Sequence, residues 1–432
     1  MKYYSLNKQS PLADFREATI RGQAPDKGLY FPERIPVIEP SFFSKIGSIP
    51  DDEIAFKVIR PYVQDSIPDD ELHRIIAETI NFPIPLVPVS DNIYSLELYH
   101  GPTLAFKDIG ARFMSRCLGY FSKERSERVI VLVATSGDTG GAVANGFYDV
   151  EGVEVVILYP SGKVSSVQEK QLTTLGKNIH ALEVEGSFDD CQKLVKQAFT
   201  DSTLTAKLFL TSANSINVAR WLPQQFYYFF AFKQWEPKAQ PPVVCVPSGN
   251  FGNICAGMLA HISGLPVAHF IAACNANAVV PEYLQSQNYH PRRAISTISN
   301  AMDVGDPSNF VRILELFDSN FIKLKSVLDS DSIPDTETRD IIGSIFKSSG
   351  YLLDPHGAVG YLALEKWLGR HPGARGIFLE TAHPVKFYDV VEAVISSKIP
   401  VPESIKNILG KPMIRTKMKS DYHELHNYLI HL

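Results

Sequence analysis

The 432-residue sequence predicts an α/β protein built on doubly wound parallel sheets. Three observations lead there. Short, continuous apolar runs rich in β-branched residues recur along the chain, as expected of strands buried on both faces. Helical periodicities separate these runs and are long enough to serve as crossover connections. Several strand ends also pass into short loops of Ser, Thr, Asn and Gly, the residues that start helices and approach ligands.

The elements follow in order. Residues 1–95 read as a small N-terminal domain with turn-rich pieces such as PDKGLYFPERIP and a helix over DDELHRIIAETI, where Asp69 or Asp70 would cap. The proline-rich stretch NFPIPLVPVSDN (81–92) reads as an extended connector. Residues 96–389 form the α/β region. Its expected strands are VIVLVA (129–134), VEVVIL (153–158), residues 178–184, KLFL (207–210), VVCV (243–246), VAHFIAA (267–273) and GIFLE (376–380). A smaller subdomain should span roughly 110–215, giving two doubly wound subdomains beside the N-terminal one. Residues 390–432 form a partly helical tail.

Composition excludes several classes. The net charge is −5 and no basic cluster alternates with aromatics, so nucleic acid is not an expected partner. No apolar run is long enough to span a bilayer; the aromatic stretch from Phe226 to Trp235 is interrupted by Lys233 and Gln234 and reads as buried helix. Five cysteines show no C-x-x-C or metal spacing, and the N-terminus lacks a signal-peptide core, which together suggest a reduced cytoplasmic protein. No metal is expected.

Lys107 is the residue most out of place. In HGPTLAFKD (100–108) an extended segment becomes a helix, expected from about Ala105 to Leu118 because Phe106, Ile109, Gly110, Phe113, Met114, Cys117 and Leu118 share a face. A helix start favours anions, so a lysine in the first turn requires an offsetting partner or an uncharged amine. Four strand-end loops supply a context: TSGDTGG (135–141), TSANSIN (211–217), PSGNFGN (247–253) and TAHP (381–384). Each alone is an ordinary capping or turn sequence. Four on one sheet edge suit a ligand with more than one anionic group. No G-x-G-x-x-G follows a strand, no Walker loop occurs, and Val246 and Ala134 stand where a nucleophile elbow needs glycine before Ser248 and Ser136. A lysine with a phosphate-cradling loop is what pyridoxal 5′-phosphate requires.

At this point the sequence resembles a known family. HGPTLAFKD, ATSGDTG (134–140), SANSIN (212–217), PSGNFGN, SNAMD (299–303) and TAHPVKF (381–387) look like the ordered motif set of the threonine synthase family, within the fold type II, tryptophan-synthase-β-like pyridoxal-phosphate enzymes. GLYFP (28–32) extends the likeness to the N-terminal segment. The resemblance implies that Lys107 anchors the cofactor and acts as base. It implies that Ser248, Gly249, Asn250, Phe251, Gly252 and Asn253 hold the cofactor phosphate and that Thr381 meets the pyridine nitrogen. Asp138 stands where relatives write asparagine near the 3′ oxygen. Thr135, Ser136 and Thr139 would meet the substrate carboxylate; Asn214, Ser215, Asn217, Arg220 and Lys163 are candidates for a substrate phosphate. The implied reaction takes O-phospho-L-homoserine and water to L-threonine and phosphate, the last step of threonine biosynthesis, in a monomer or homodimer whose smaller subdomain closes on substrate. Rival readings are a dehydratase or β-replacement enzyme of the same fold, without a second anion site, and a non-catalytic cofactor carrier.

Overall fold

The computed structural model describes residues 1–123, 128–236, 238 and 240–432. A short antiparallel ribbon pairs β1 (Tyr3–Ser5) with β2 (Tyr30–Pro32). Next come β3 (Leu86–Ser90) and β4 (Ile93–Glu97), joined as a hairpin. Then follow β5 (Val129–Ala134), β6 (Val153–Pro160), β7 (Ile179–Glu185) and β8 (Phe209–Thr211). The remaining strands are β9 (Val243–Pro247), β10 (His269–Cys274), β11 (Leu328–Ser332), β12 (Gly376–Glu380) and β13 (Thr416–Lys419).

The larger sheet is six-stranded, in the order β11-β10-β9-β12-β4-β3, and parallel except for its β3 edge. The smaller sheet has five parallel strands, β13-β7-β6-β5-β8. Both are α/β in the expected sense: β5 is buried at every position, and so are β9 and β12. Apolar side chains fill both faces of such strands, which is why their sequences show no alternation.

Several expectations need correcting. The proline-rich stretch is not a free connector. Its second half is β3, an edge strand that accepts Pro88 at the register shift between Pro88 and Ser90. Strands β11 (LDSDS) and β13 (TKMK) escaped notice because an edge strand with polar side chains lacks the apolar run. Through β13, the tail beyond residue 390 completes the smaller sheet, and the helix Tyr422–Ile430 covers it with Leu425 and Leu429 buried. The N-terminal segment shares its core with the rest: Phe15, Ile59 and Ile76 belong to the apolar cluster that holds Phe113 and Phe121 of the helix Lys107–Ser122. Asp69 and Asp70 lie inside the first turn of the helix Asp69–Thr79, where they complement the dipole, and Pro68 takes the cap position. The aromatic helix Phe226–Gln234 is buried as expected, and no helix among the described residues is long and apolar enough to cross a membrane. The cysteines are free and buried.

Candidate active site

The four polar loops do not line one sheet edge. They fall into two adjacent pairs on two sheets, after β5 and β8 of the smaller sheet and after β9 and β12 of the larger. Side-chain contacts bring the two pairs together. Asn250, after β9, donates through Nδ2 to Ser215 Oγ, after β8, at 2.8 Å. Asp138, after β5, meets Lys386, after β12, at 2.7 Å.

Lys107 is the first residue of its helix rather than the third, because the chain turns at Leu104 with φ 58°. A left-handed leucine is an unfavourable conformation, and it is held by the pairing that follows. Ala105 bridges Ala382, and Phe106 N donates to Thr381 O at 2.9 Å. This short antiparallel contact sets Lys107 beside Thr381. The lysine side chain is 17% exposed, and its Nζ lies 3.7 Å from Asp138 Oδ2. Burial pushes its ammonium pKa down from 10.5; Asp138 opposes the fall, and Lys386 and Arg220 add to it. Asp108, the next residue, is buried and accepts from Thr103 N at 2.9 Å and from the Thr103 hydroxyl.

Asp138 opens the helix Asp138–Phe147 and is buried. Burial alone would raise its pKa, but Lys386 and Lys107 outweigh that and hold the carboxyl well below its ordinary range. Gln168 Nε2 also donates to Asp138 Oδ1, at 2.9 Å. Gly137 precedes it at φ 140°, packed against the Gln168 side chain, so only glycine fits there.

The loop after β9 is held without charge. A Cβ on Gly249 would lie 2.6 Å from Met302 Cα. Phe251 sits at φ 60° and packs against Phe310. Asn250 Oδ1 accepts from Ser308 N at 2.8 Å and Ser308 Oγ at 2.7 Å. Ser248 N donates to Ala273 O at 2.8 Å and its hydroxyl to Val246 O. Gly252 begins an eleven-residue helix whose first N–H groups face this loop. Asn253 Oδ1 accepts from Tyr227 and Tyr228, while its Nδ2 is buried with no partner among the described residues.

The remaining candidates separate. Ser136 and Thr139 are half-buried beside Asp138. Thr135 is buried, and its Oγ1 accepts from Gly137 N at 3.0 Å and Gly140 N at 2.8 Å, so it shapes the loop. Arg220 is buried, with Nη1 on Ala213 O at 2.7 Å and Nε without a partner among the described residues; burial pushes its pKa down to about 10. Asn214 is half-buried, and its carbonyl accepts from Asn217 N. Asn217 is fully buried, with its amide bonded to Thr19 O, Ser212 O and Ala219 N, so it ties the N-terminal helix to this loop. Lys163 is exposed in the turn after β6.

Periodicity did not point to Lys386, fully buried in the short turn Pro384–Phe387. It likewise missed Arg312, whose buried guanidinium joins Ser215 O, Ile216 O, Tyr30 O and Asn309 Oδ1. The clue to Lys386 was available: it falls in TAHPVKF, read only for Thr381.

These residues fit pyridoxal phosphate. A buried amine of lowered basicity, a loop with no room for a Cβ at Gly249, a helix N-terminus and the unpartnered Asn253 amide are what a phosphorylated aldehyde requires. The comparisons agree. A family model described as pyridoxal-phosphate dependent enzyme matches residues 80–378, and models for the threonine synthase N terminus and C-terminal region match 2–80 and 357–429. The threonine synthase of Haemophilus influenzae is 42% identical over the whole of both chains. The crystal structure of threonine synthase from Escherichia coli superposes with a TM-score of 0.93 at 40% identity, covering all of both chains. A pyridoxal-phosphate-bound threonine synthase from Brucella melitensis gives 0.93 at 34%, over 100% of this chain and 99% of that one. With site geometry, matched regions and full-length similarity in accord, the chain belongs to the threonine synthase family.

Proposed function

We infer that this chain converts O-phospho-L-homoserine and water to L-threonine and phosphate, with pyridoxal 5′-phosphate as cofactor. The observation that carries the reading is Lys107, a largely buried amine of lowered basicity, 3.7 Å from Asp138 and next in the chain to Phe106, whose N–H bonds Thr381 O. Bound pyridoxal phosphate supplies an electron sink for negative charge developing at the substrate Cα.

The chain's own residues do the rest. Lys107 anchors the cofactor at rest. Its free amine would take a proton from Cα and hand it on before taking a second from Cβ, so that phosphate leaves from Cγ; the second proton goes to Cγ, water gives its hydroxyl to Cβ and a proton to the departing phosphate, and the first proton returns to Cα. A flexible four-carbon stem allows one base to serve neighbouring carbons. Backbone N–H groups of Gly249–Asn253 hold the cofactor phosphate, and the Thr381 hydroxyl serves the ring nitrogen. Ser136 and Thr139 take the substrate carboxylate, on a loop shaped by Thr135. Ser215 and Arg220 suit the substrate phosphate: Ser215 Oγ accepts from Asn250 and Asn309 and keeps its own proton to donate, and Arg220 Nε–H has no partner among the described residues. Asn214 lies at the same loop, whereas Asn217 acts by holding it and Lys163 lies on the exposed turn.

The test is product analysis on cofactor-loaded protein. Phosphate release from O-phospho-L-homoserine, matched by L-threonine, is expected to exceed ammonia release from serine or threonine by at least a hundredfold. Ammonia release without phosphate release would instead select the dehydratase reading.

A further inference from the structure

Two lysines, not one, face the carboxylate of Asp138. Lys386 Nζ lies 2.7 Å from Oδ1, and Lys107 Nζ lies 3.7 Å from Oδ2. Lys386 is fully buried, and it also donates to Thr103 O at 2.8 Å. It therefore joins three pieces of chain: the turn after β12, the helix start after β5, and the loop that precedes Lys107.

Charge counting gives this arrangement a direction. With both lysines protonated, the buried group carries one excess positive charge. With Lys107 neutral, Asp138 and Lys386 cancel. An unbalanced buried charge is costly, so the group favours loss of one proton, and Lys107, the lysine farther from the carboxylate at 3.7 Å against 2.7 Å, is the one to lose it. Remove Lys386, and Lys107 is the one cation paired with Asp138 among the described residues; the pair then balances with Lys107 protonated.

We propose that Lys386 is a positioning residue, the close counter-ion of Asp138, whose presence releases Lys107 from that carboxylate so that its amine is free to react. The proposal rests on Lys107 being the residue that carries the cofactor. The charged groups around the pair are few. Lys107 faces Asp138, Lys386 and Arg220, while Lys386 also acts at longer range on Asp108 and His383. Asp108 is engaged by Thr103 N and the Thr103 hydroxyl, and burial holds the His383 imidazole down at about 4. Gln168 completes the shell of Asp138 with a neutral donor.

The experiment measures capture of pyridoxal phosphate by the full chain freed of cofactor, as a function of pH, with borohydride trapping and peptide mapping. Capture joins the amine nitrogen to the aldehyde carbon with loss of one water, and it requires the unprotonated amine. In Lys386→Met the pH midpoint should rise by a unit or more, slowing capture at pH 7 about tenfold or more. In Asp138→Asn, which removes the anion, the midpoint should fall. In the double variant it should return close to that of the unaltered protein, and Lys386→Arg should stay near it. A merely structural role would move both single variants the same way or neither, and either result overturns the proposal. If Lys386→Met does not fold, as judged by its thermal melt, Asp138→Asn and the double variant decide: a double variant no higher in midpoint than Asp138→Asn overturns it. Label found on Lys386 in place of Lys107 would overturn the underlying reading instead.

Discussion

The loops after β9 and β5 both begin at the end of a buried parallel strand, yet they are built in opposite ways. The loop 247–253 is fixed by neutral contacts: Gly249 against Met302, Phe251 in a left-handed conformation, and Asn250 bonded to Ser308 and Ser215. The loop 135–141 leads into Asp138, a buried carboxylate between two lysines and a glutamine. The first suits a ligand whose charge does not change during reaction, such as a phosphate group. The second suits proton traffic, because its balance depends on whether Lys107 is charged. Anchoring and chemistry are thus assigned to loops on different sheets, which Asn250–Ser215 and Asp138–Lys386 bring together.

The largest expected effect is on the charged side. Lys107→Ala should abolish both the visible absorbance of the bound cofactor and phosphate release, while leaving the fold intact by circular dichroism. Retention of either signal would place the reacting amine elsewhere.

On the neutral side, Gly249→Ala should lower cofactor affinity at least tenfold, in line with the ~1–3 kcal/mol cost of overpacking. Equilibrium titration of cofactor-free protein measures this. An unchanged affinity would show that Met302 yields and that the loop is not rigid.

On the loop after β12, beside Tyr99, stands His383, whose burial lowers its pKa from 6.5 to about 4. A depressed base stays neutral in the native state while the unfolded chain binds a proton. Its contribution is therefore intact above 6.5 and is lost as pH falls towards 4. The loss should reach about 3 kcal/mol. His383→Asn, which keeps an acceptor for Val385 N, should flatten denaturant stability over that window. An unaltered slope would mean that the histidine is already protonated in the native protein.

The smallest effect belongs to Asn309, which donates to Ser215 Oγ and Asn250 O across the two sheets. Asn309→Ala should cost about 1 kcal/mol in stability by thermal melt. A cost confined to cofactor-loaded protein would assign it to the ligand rather than to the loop.

How much of this was legible in the sequence depends on the reach of each signal. β5, β9 and β12 were plain because a strand buried on both faces is apolar throughout. β11 and β13 were not, since their side chains are polar and only long-range pairing makes them strands. The same holds at the site. Lys107 and the glycine-rich loops stand out locally, by a cation at a helix start and by turn composition. Lys386 and Arg312 do not, because a buried cation is distinguished only by what the fold sets around it, and those partners lie as far off in sequence as Asp138 and Tyr30.

The central claim is that, of the two buried lysines flanking Asp138, Lys107 holds the cofactor and Lys386 holds the charge. Borohydride reduction of the cofactor-loaded protein, followed by mass mapping of its peptides, tests this directly. The added pyridoxyl phosphate mass is expected on the peptide bearing Lys107 alone. The same mass on the peptide bearing Lys386 would contradict it.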